Sequence, residues 1–207
     1  TRALLEHPDI ELVTGTVLED WPDEPTVLAC GMAAREFPGA AFLELGCVTG
    51  QLNLVPRKDS PLRNLRVPIT GRGYLAPIDE ETIGVGATYE YQPWPADQAT
   101  AANLRHVERV LGGTWQPAST GYRKATRCVS SDRNPVVGAL ADVDGNRDIR
   151  RLVSLGPGSM GTVTSHLAAA LIGATLTGQF EPLDDRLLAL VASSRFRSRQ
   201  RRRGYRV

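Results

Sequence analysis

The sequence predicts a chain of mixed α/β and α+β character, in which buried strands of the parallel type accompany a mostly antiparallel sheet. Three observations lead there. Thr26-Val27-Leu28-Ala29-Cys30 is a continuous apolar run, as strands buried on both faces require. Between residues 48 and 89, short β-prone stretches are separated by Pro, Gly and Asp, which is how antiparallel strands with tight turns are punctuated. Near the end, an apolar strand passes through a cluster of glycines into a long apolar helix.

Taken in order, residues 10–17 alternate and are rich in β-formers, so a strand is expected there. The strand at residues 26–30 runs into Gly31, a residue free to take backbone conformations that others resist. Residues 48–55, 73–78 and 82–89 supply the sheet. Pro93 and Pro95 precede a helix over residues 96–111, where Ala101, Leu104, Val107 and Leu111 share a face and Gly112-Gly113 stops it. Strands follow at residues 125–130, 136–140 and 151–155, then a helix over residues 162–176. A final helix over residues 184–193 opens on acids suited to its positive end.

Hydrophobic residues make up 42% of the 207 and charged residues 23%, ordinary for a globular protein. No apolar run approaches the ~18–20 residues that span a bilayer, so no membrane segment is expected. Thr1 and the residues after it show no initiator Met and no signal pattern, which suggests a chain whose beginning lies elsewhere. Cys30, Cys47 and Cys128 form neither a disulfide framework nor a metal-binding spacing; a reduced, cytoplasmic, metal-free protein is the simpler reading. The net charge of +1 hides an asymmetry. Residues 195–207 hold seven arginines and no acid, and outside them 17 basic residues face 23 acidic ones, about −6. Such a tail is either solvated, paired with the protein's own acidic surface, or a grip for a polyanion.

Two motifs carry chemistry. Gly156-Pro157-Gly158-Ser159-Met160-Gly161 is literally GxGxxG between a strand and a helix, and Glu181 lies 20 or so residues further on. A dinucleotide-binding unit needs a second parallel strand after the helix, whereas here Gly178 and Pro182 lead into another helix. What remains is a lone strand–turn–helix whose close backbone and helix end suit an anion or an electron-rich ring, or a purely structural turn. The second motif runs from Gly121 to Gly138. Arg127, beside Cys128 and Val129, sits in a β-prone stretch. A partly buried guanidinium there would face a carboxylate through two parallel hydrogen bonds; a surface strand arginine is the alternative.

Arg123–x–x–x–Arg127-Cys128 followed by Asp132-Arg133-Asn134-Pro135-Val136-Val137-Gly138 resembles one family's R-V-G-x-R-C-x-x-R-D-x-x-P-x-V-G block. That family is the FAD-dependent oxidoreductase half of bifunctional tRNA wobble-uridine modification enzymes (MnmC type), a branch of the D-amino acid oxidase/glycine oxidase superfamily. In the right order, Val27-Leu28-Ala29-Cys30-Gly31 resembles its "VVLANG" strand, and Gly50-Gln51 its "RGQ". Gly73-Tyr74-Leu75-Ala76-Pro77 with Gly84-Val85-Gly86-Ala87-Thr88-Tyr89 resembles "GYLTP…IGASY", and the glycine turn with its basic ending also fits. The resemblance covers nearly the whole chain. Met160 stands where the family usually has Arg, and His166 falls in a segment that departs from the family's pattern.

The resemblance implies a D-amino acid oxidase-like fold, in which an FAD-binding α/β domain interleaves with a substrate domain. Residues 1–46 would be part of the FAD-binding domain, 47–122 the substrate domain, 123–194 the return, and 195–207 the arginine-rich tail. The family's amino-terminal GxGxxG, which holds the pyrophosphate, is absent from the sequence. The implied cofactor is FAD, contacted by Val17, Gly31, Gly156, Gly158, Ser159, Met160, Gly161 and Thr162. The implied reaction oxidises the C–N bond of carboxymethylaminomethyl-(2-thio)uridine in tRNA and releases glyoxylate. Arg127 would clamp the glycine-like carboxylate, with Tyr74, Tyr89 and Gln51 along the substrate wall. Arg195, Arg197, Arg199, Arg201, Arg202 and Arg203 would hold tRNA, and a methyltransferase domain would share the natural chain. A free glycine, sarcosine or D-amino acid oxidase is the alternative, and a non-catalytic fragment a third; without the pyrophosphate loop, little bound flavin is expected.

Overall fold

The computed structural model describes residues 5–58, 60–71, 73–117, 121–142, 144 and 146–205. In chain order its strands are β1 (Thr26–Leu28), β2 (Leu45–Pro56), β3 (Ile69–Thr70), β4 (Tyr74–Pro77), β5 (Thr82–Gly86), β6 (Gly121–Ser130), β7 (Val136–Ala141) and β8 (Arg147–Leu155). Its α-helices are α1 (Ala96–Leu111), α2 (Gly161–Thr177), α3 (Asp185–Val191) and α4 (Ser194–Arg202). The chain divides into two compact units, residues 1–43 with 137–154 and 167–207, and residues 44–136 with 155–166.

The first unit rests on a sheet in the order β1-β8-β7, with Val27 opposite Leu152 in a parallel pair. Leu152 and Val153 point to opposite faces and both are fully buried, as the apolar run predicts for a strand covered on two sides. Gly31 takes φ +64° and opens a short 3-10 helix, Gly31–Glu36. Ala168, Leu171 and Ile172 of α2, spaced to share one stripe, pack with Val137 and Leu152. Leu183, Leu188 and Val191 close the cluster. Helix α3 starts where the side chain of Asp184 accepts from Leu187 N–H at 2.8 Å.

One expectation fails here. Residues 10–17 form no strand: Leu12 and Val13 are about two-thirds exposed, and Val17 is 84% exposed. Alternation gives a strand an apolar face, but a strand also needs a neighbour for its backbone groups, and no ladder among the described residues includes these. The arginine-rich end, for which solvation, pairing with the protein's own surface and a grip on a polyanion stood open, packs in part into the protein itself. It folds as α4, which buries Phe196 completely and leaves Arg197 8% exposed. Arg197 Nε donates to Ala141 C=O at 3.0 Å, and its guanidinium lies 3.8 Å from the Phe42 ring. Burial pulls the Arg197 pKa down, against the opposing pull of Asp142. Arg195 donates to the carbonyls of Val191 and Ala192, and stacks on Phe196. Arg206, the last arginine, lies outside the described residues.

The second unit is a five-stranded sheet in the order β3-β4-β5-β2-β6, antiparallel at every pairing. Leu75, Ile83, Val85 and Val55 lie on one face and pack with Val107 of α1 and Leu62. The β4–β5 turn is tied by Asp79, whose carboxylate accepts from the N–H groups of Glu81 and Thr82 at 2.9 and 2.7 Å. Helix α1 has the bounds read from sequence, ending at Gly112 with φ +72°, a left-handed cap. Strand β6 starts at Gly121, earlier than expected, and β5 stops at Gly86, sooner than expected.

Because Phe196 of α4 is fully buried, Phe196→Ala should destabilise the protein by about 3–5 kcal/mol in denaturant unfolding. A loss below about 1 kcal/mol would mean that α4 is a detachable tail after all.

Candidate functional site

The β2–β6 ladder decides which side chains meet. Its register sets Val48 opposite Arg127, Gly50 opposite Ala125 and Leu52 opposite Arg123, while Leu52 also pairs with Gly86 and Gly86 with Tyr74. Successive strand residues alternate between faces. Val48, Gly50, Leu52, Arg123, Ala125, Arg127 and Tyr74 therefore share the face opposite α1. Arg127 is exposed there. Its guanidinium lies across Gly50: a Cβ at Gly50 would come 2.8 Å from Arg127 Cζ. Glycine in a strand interior often marks a place where another group must approach closely, and here that group is the arginine fork.

The glycine turn reaches the same strand. Gly156 takes φ +56°, and a Cβ on it would sit 3.3 Å from Ser130 N and 3.9 Å from Cys128 O. The turn thus packs on β6 a few residues beyond Arg127, so the two motifs read separately in the sequence meet in one unit. Gly158, also at positive φ (+67°), and Met160 and Thr162 are exposed. Helix α2 begins at Gly161 with no acidic residue in its first turn, so no carboxylate of that turn offsets the positive end of its dipole. The Ser159 side chain lies outside the described residues.

Other predicted residues go elsewhere. Gln51 is fully buried on the α1 side, where Nε2 donates to Ala96 C=O at 3.0 Å and Thr100 Oγ1 at 2.9 Å. It cannot share a wall with Arg127, because adjacent strand residues face opposite ways. Tyr89 lies beyond β5, and its hydroxyl accepts from Arg133 Nη1 at 2.6 Å. Val17 and Gly31 belong to the first unit. All three cysteines are free, and among the described residues no cluster of His, Cys, Asp or Glu could hold a metal ion. No described helix is long and apolar enough to cross a membrane.

Sequence reading missed Glu90, which is 1% exposed. Burial would push its carboxyl up, but the Thr88 hydroxyl, the Trp94 N–H, Lys124 and Arg127 together hold it below the ordinary glutamate value. No motif advertises it; only the fold brings Lys124 opposite Gln51 and so over Glu90.

The fold is that of glycine oxidase-like enzymes. Glycine oxidase from Geobacillus kaustophilus superposes with TM-score 0.58 at 17% identity, covering 82% of this chain and 45% of that one. Iminodiacetate oxidase from Chelativorans superposes with TM-score 0.58 at 17% identity, covering 80% and 46%. Fructosamine oxidase from Aspergillus fumigatus gives 0.58 at 14% identity, covering 85% and 44%. In sequence, the chain is a homologue of bifunctional proteins of tRNA 5-methylaminomethyl-2-thiouridine biosynthesis, the MnmC type. That of Burkholderia cenocepacia is 33% identical over 206 aligned residues, 88% of this chain and 31% of the relative, and that of Paraburkholderia xenovorans 30% identical over 86% and 31%. The chain thus spans about a third of the length of these relatives. No protein-family model matches it.

The depressed Glu90 carboxyl carries a pH consequence. Its stabilising contacts are fully present above the ordinary glutamate pKa, about 4.3, and are lost as pH falls through the lower folded-state value. Unfolding in denaturant should therefore show stability declining as pH drops below about 4.3, and Glu90→Gln should flatten that decline. An equally steep decline in the variant would exclude Glu90 as its source.

Proposed function

We propose that this chain is the substrate-sheet and ring-edge portion of an FAD-dependent oxidoreductase that oxidises the C–N bond of carboxymethylaminomethyl-(2-thio)uridine in tRNA, releasing glyoxylate. One observation carries the reading: the Arg127 guanidinium lies over Gly50 on an open sheet face, beside the turn at Gly156. The modified group is an N-substituted glycine, and its carboxylate matches a planar fork able to donate two parallel hydrogen bonds. The tRNA 5-methylaminomethyl-2-thiouridine biosynthesis relatives and the glycine oxidase fold support it from two independent directions.

The residues present fit the edge of a flavin ring. A buried glycine at positive φ leaves no side chain between the turn and its surroundings, and the start of α2 offers partial positive charge. When bound, FAD supplies the two-electron acceptor that the amine oxidation requires. Gly156, Gly158, Ser159, Met160, Gly161 and Thr162 would line the ring edge, the helix end favouring negative charge there. Arg127 would bind the carboxylate and orient the amine carbon, and Gly50 would act as a positioning residue by leaving room for the guanidinium. Tyr74, half-buried on the same face, would close one side. A polypeptide carrying a methyltransferase domain as well is the natural setting of this reading.

A second reading is oxidation of a free amino acid without tRNA, favoured by the glycine oxidase and iminodiacetate oxidase neighbours. The test uses the full-length protein with tRNA bearing the carboxymethylaminomethyl base, and with free glycine and sarcosine. Glyoxylate should form from the tRNA, and Arg127→Ala should lower kcat/KM roughly 10- to 150-fold, the value of a charge-assisted hydrogen-bond pair. Gly50→Ala should lower it similarly while leaving the unfolding midpoint nearly unchanged, since its clash is with a flexible side-chain end. Unchanged turnover in Arg127→Ala would overturn the clamp, and turnover of free glycine alone would select the second reading.

A further inference from the structure

The second unit carries another built feature, against α1 and away from the Arg127 face. A cavity of about 330 Å³ is lined by Thr88, Tyr89, Trp94, Arg105, His106 and Arg109 among others. That volume lies within the roughly 300–1,000 Å³ typical of pockets for small organic groups. Gly73 helps to shape it, since a Cβ there would come 2.7 Å from His106 Cδ2. Arg105 and Arg109 stand one helical turn apart, both exposed, and neither forms an ion pair among the described residues. Two like charges at that spacing repel, so the pair is better matched by an anion than left alone.

The cavity's rim continues into an aromatic strip. Tyr89 meets Tyr91 edge to face at 5.6 Å between centroids, and Arg133 sits over both rings at 5.5 and 5.7 Å. Tyr91 is 62% exposed and Tyr89 44%, so these rings present open surface. Arg133 holds this position with φ +65°, in the turn where Ser130 Oγ donates to Asn134 C=O at 2.6 Å. The arrangement, cations alternating with accessible aromatic rings beside a nucleoside-sized cavity, is the chemistry of single-stranded RNA recognition: bases stack on rings or guanidinium planes, and arginines meet phosphates. A free carboxylate or an acidic peptide would use the arginines but leave the rings and cavity unexplained.

From this we infer that the strip from Arg109 and Arg105 through Trp94, Tyr89 and Tyr91 to Arg133 binds single-stranded RNA. One unstacked nucleotide enters the cavity, with its phosphates on Arg105 and Arg109. The inference rests on the tRNA reading above and adds to it a contact for a nucleotide flanking the reacting one, because the cavity lies on the face of the sheet that Arg127 does not use.

Fluorescence anisotropy with a labelled anticodon stem–loop RNA and the full-length protein tests it. The double variant Arg105→Ala/Arg109→Ala should bind more weakly, and its plot of log Kd against log salt should flatten by about 1.4, the share of two single-strand phosphates. Tyr91→Ala, at an exposed ring, should weaken binding with no change in that slope. A triple variant Arg201→Ala/Arg202→Ala/Arg203→Ala serves as the comparison. If the parent protein binds the RNA and only the triple variant loses affinity, the strip is overturned while the tRNA reading stands. If the parent protein does not bind the RNA, the tRNA reading itself fails, and the strip with it.

Discussion

Ten residue pairs between β2 and β6, from Leu45–Ser130 to Leu54–Gly121, fix the chemistry of the second unit. A slip of one residue would exchange the faces of every side chain on β6. Arg127 would then point at the side covered by α1, and Lys124 would leave Glu90. The two faces have opposite requirements. One is sealed by a helix and buries polar side chains that bond one another, Gln51 Oε1 being a buried atom left without a hydrogen-bond partner among the described residues; the other is open and presents a cation across a glycine.

On the sealed face, polar groups replace much of what would otherwise be apolar core. Asn103 of α1 donates to Gln51 C=O at 2.9 Å and Asn53 Oδ1 at 2.8 Å, while Asn53 donates to Thr100 Oγ1 at 2.9 Å. Each bond contributes only about 1 kcal/mol net, yet removing one partner leaves a buried group that costs about 1–3 kcal/mol. Such a network tolerates one docking of α1 on the sheet better than any other. The same docking brings Arg105, His106 and Arg109 to the cavity beside Thr88. On the open face, Gly50 and Gly156 do related work: each removes a side chain where another group must come close, the guanidinium in one case and the β6 backbone in the other.

How much of this was legible in the sequence follows from the range of the forces involved. Helix α1 could be bounded to the residue because Pro95 and Gly112 act locally. The strand at Thr26–Leu28 and the turn at Gly156 were legible for the same reason, through apolar runs and glycines. Residues 10–17 misled because alternation says nothing about whether a neighbouring strand exists. Gln51 misled because its motif gives a position but not a face; only the register does. The arginines of α4 stayed open between readings because composition counts charges without showing that Phe42 and Ala141 receive one of them. Glu90 and the Tyr89–Tyr91–Arg133 cluster were invisible, since their partners come from strands and turns far apart in the chain.

The central claim is that Arg127, seated over Gly50, receives the carboxylate of an N-substituted glycine. A crystal structure of the full-length protein with a non-oxidisable N-substituted glycine analogue bound tests it most directly. The analogue's carboxylate should make two hydrogen bonds to the Arg127 guanidinium on the open sheet face, with its amine end toward the turn at Gly156. A carboxylate bound elsewhere, with Arg127 free in solvent, would contradict the account.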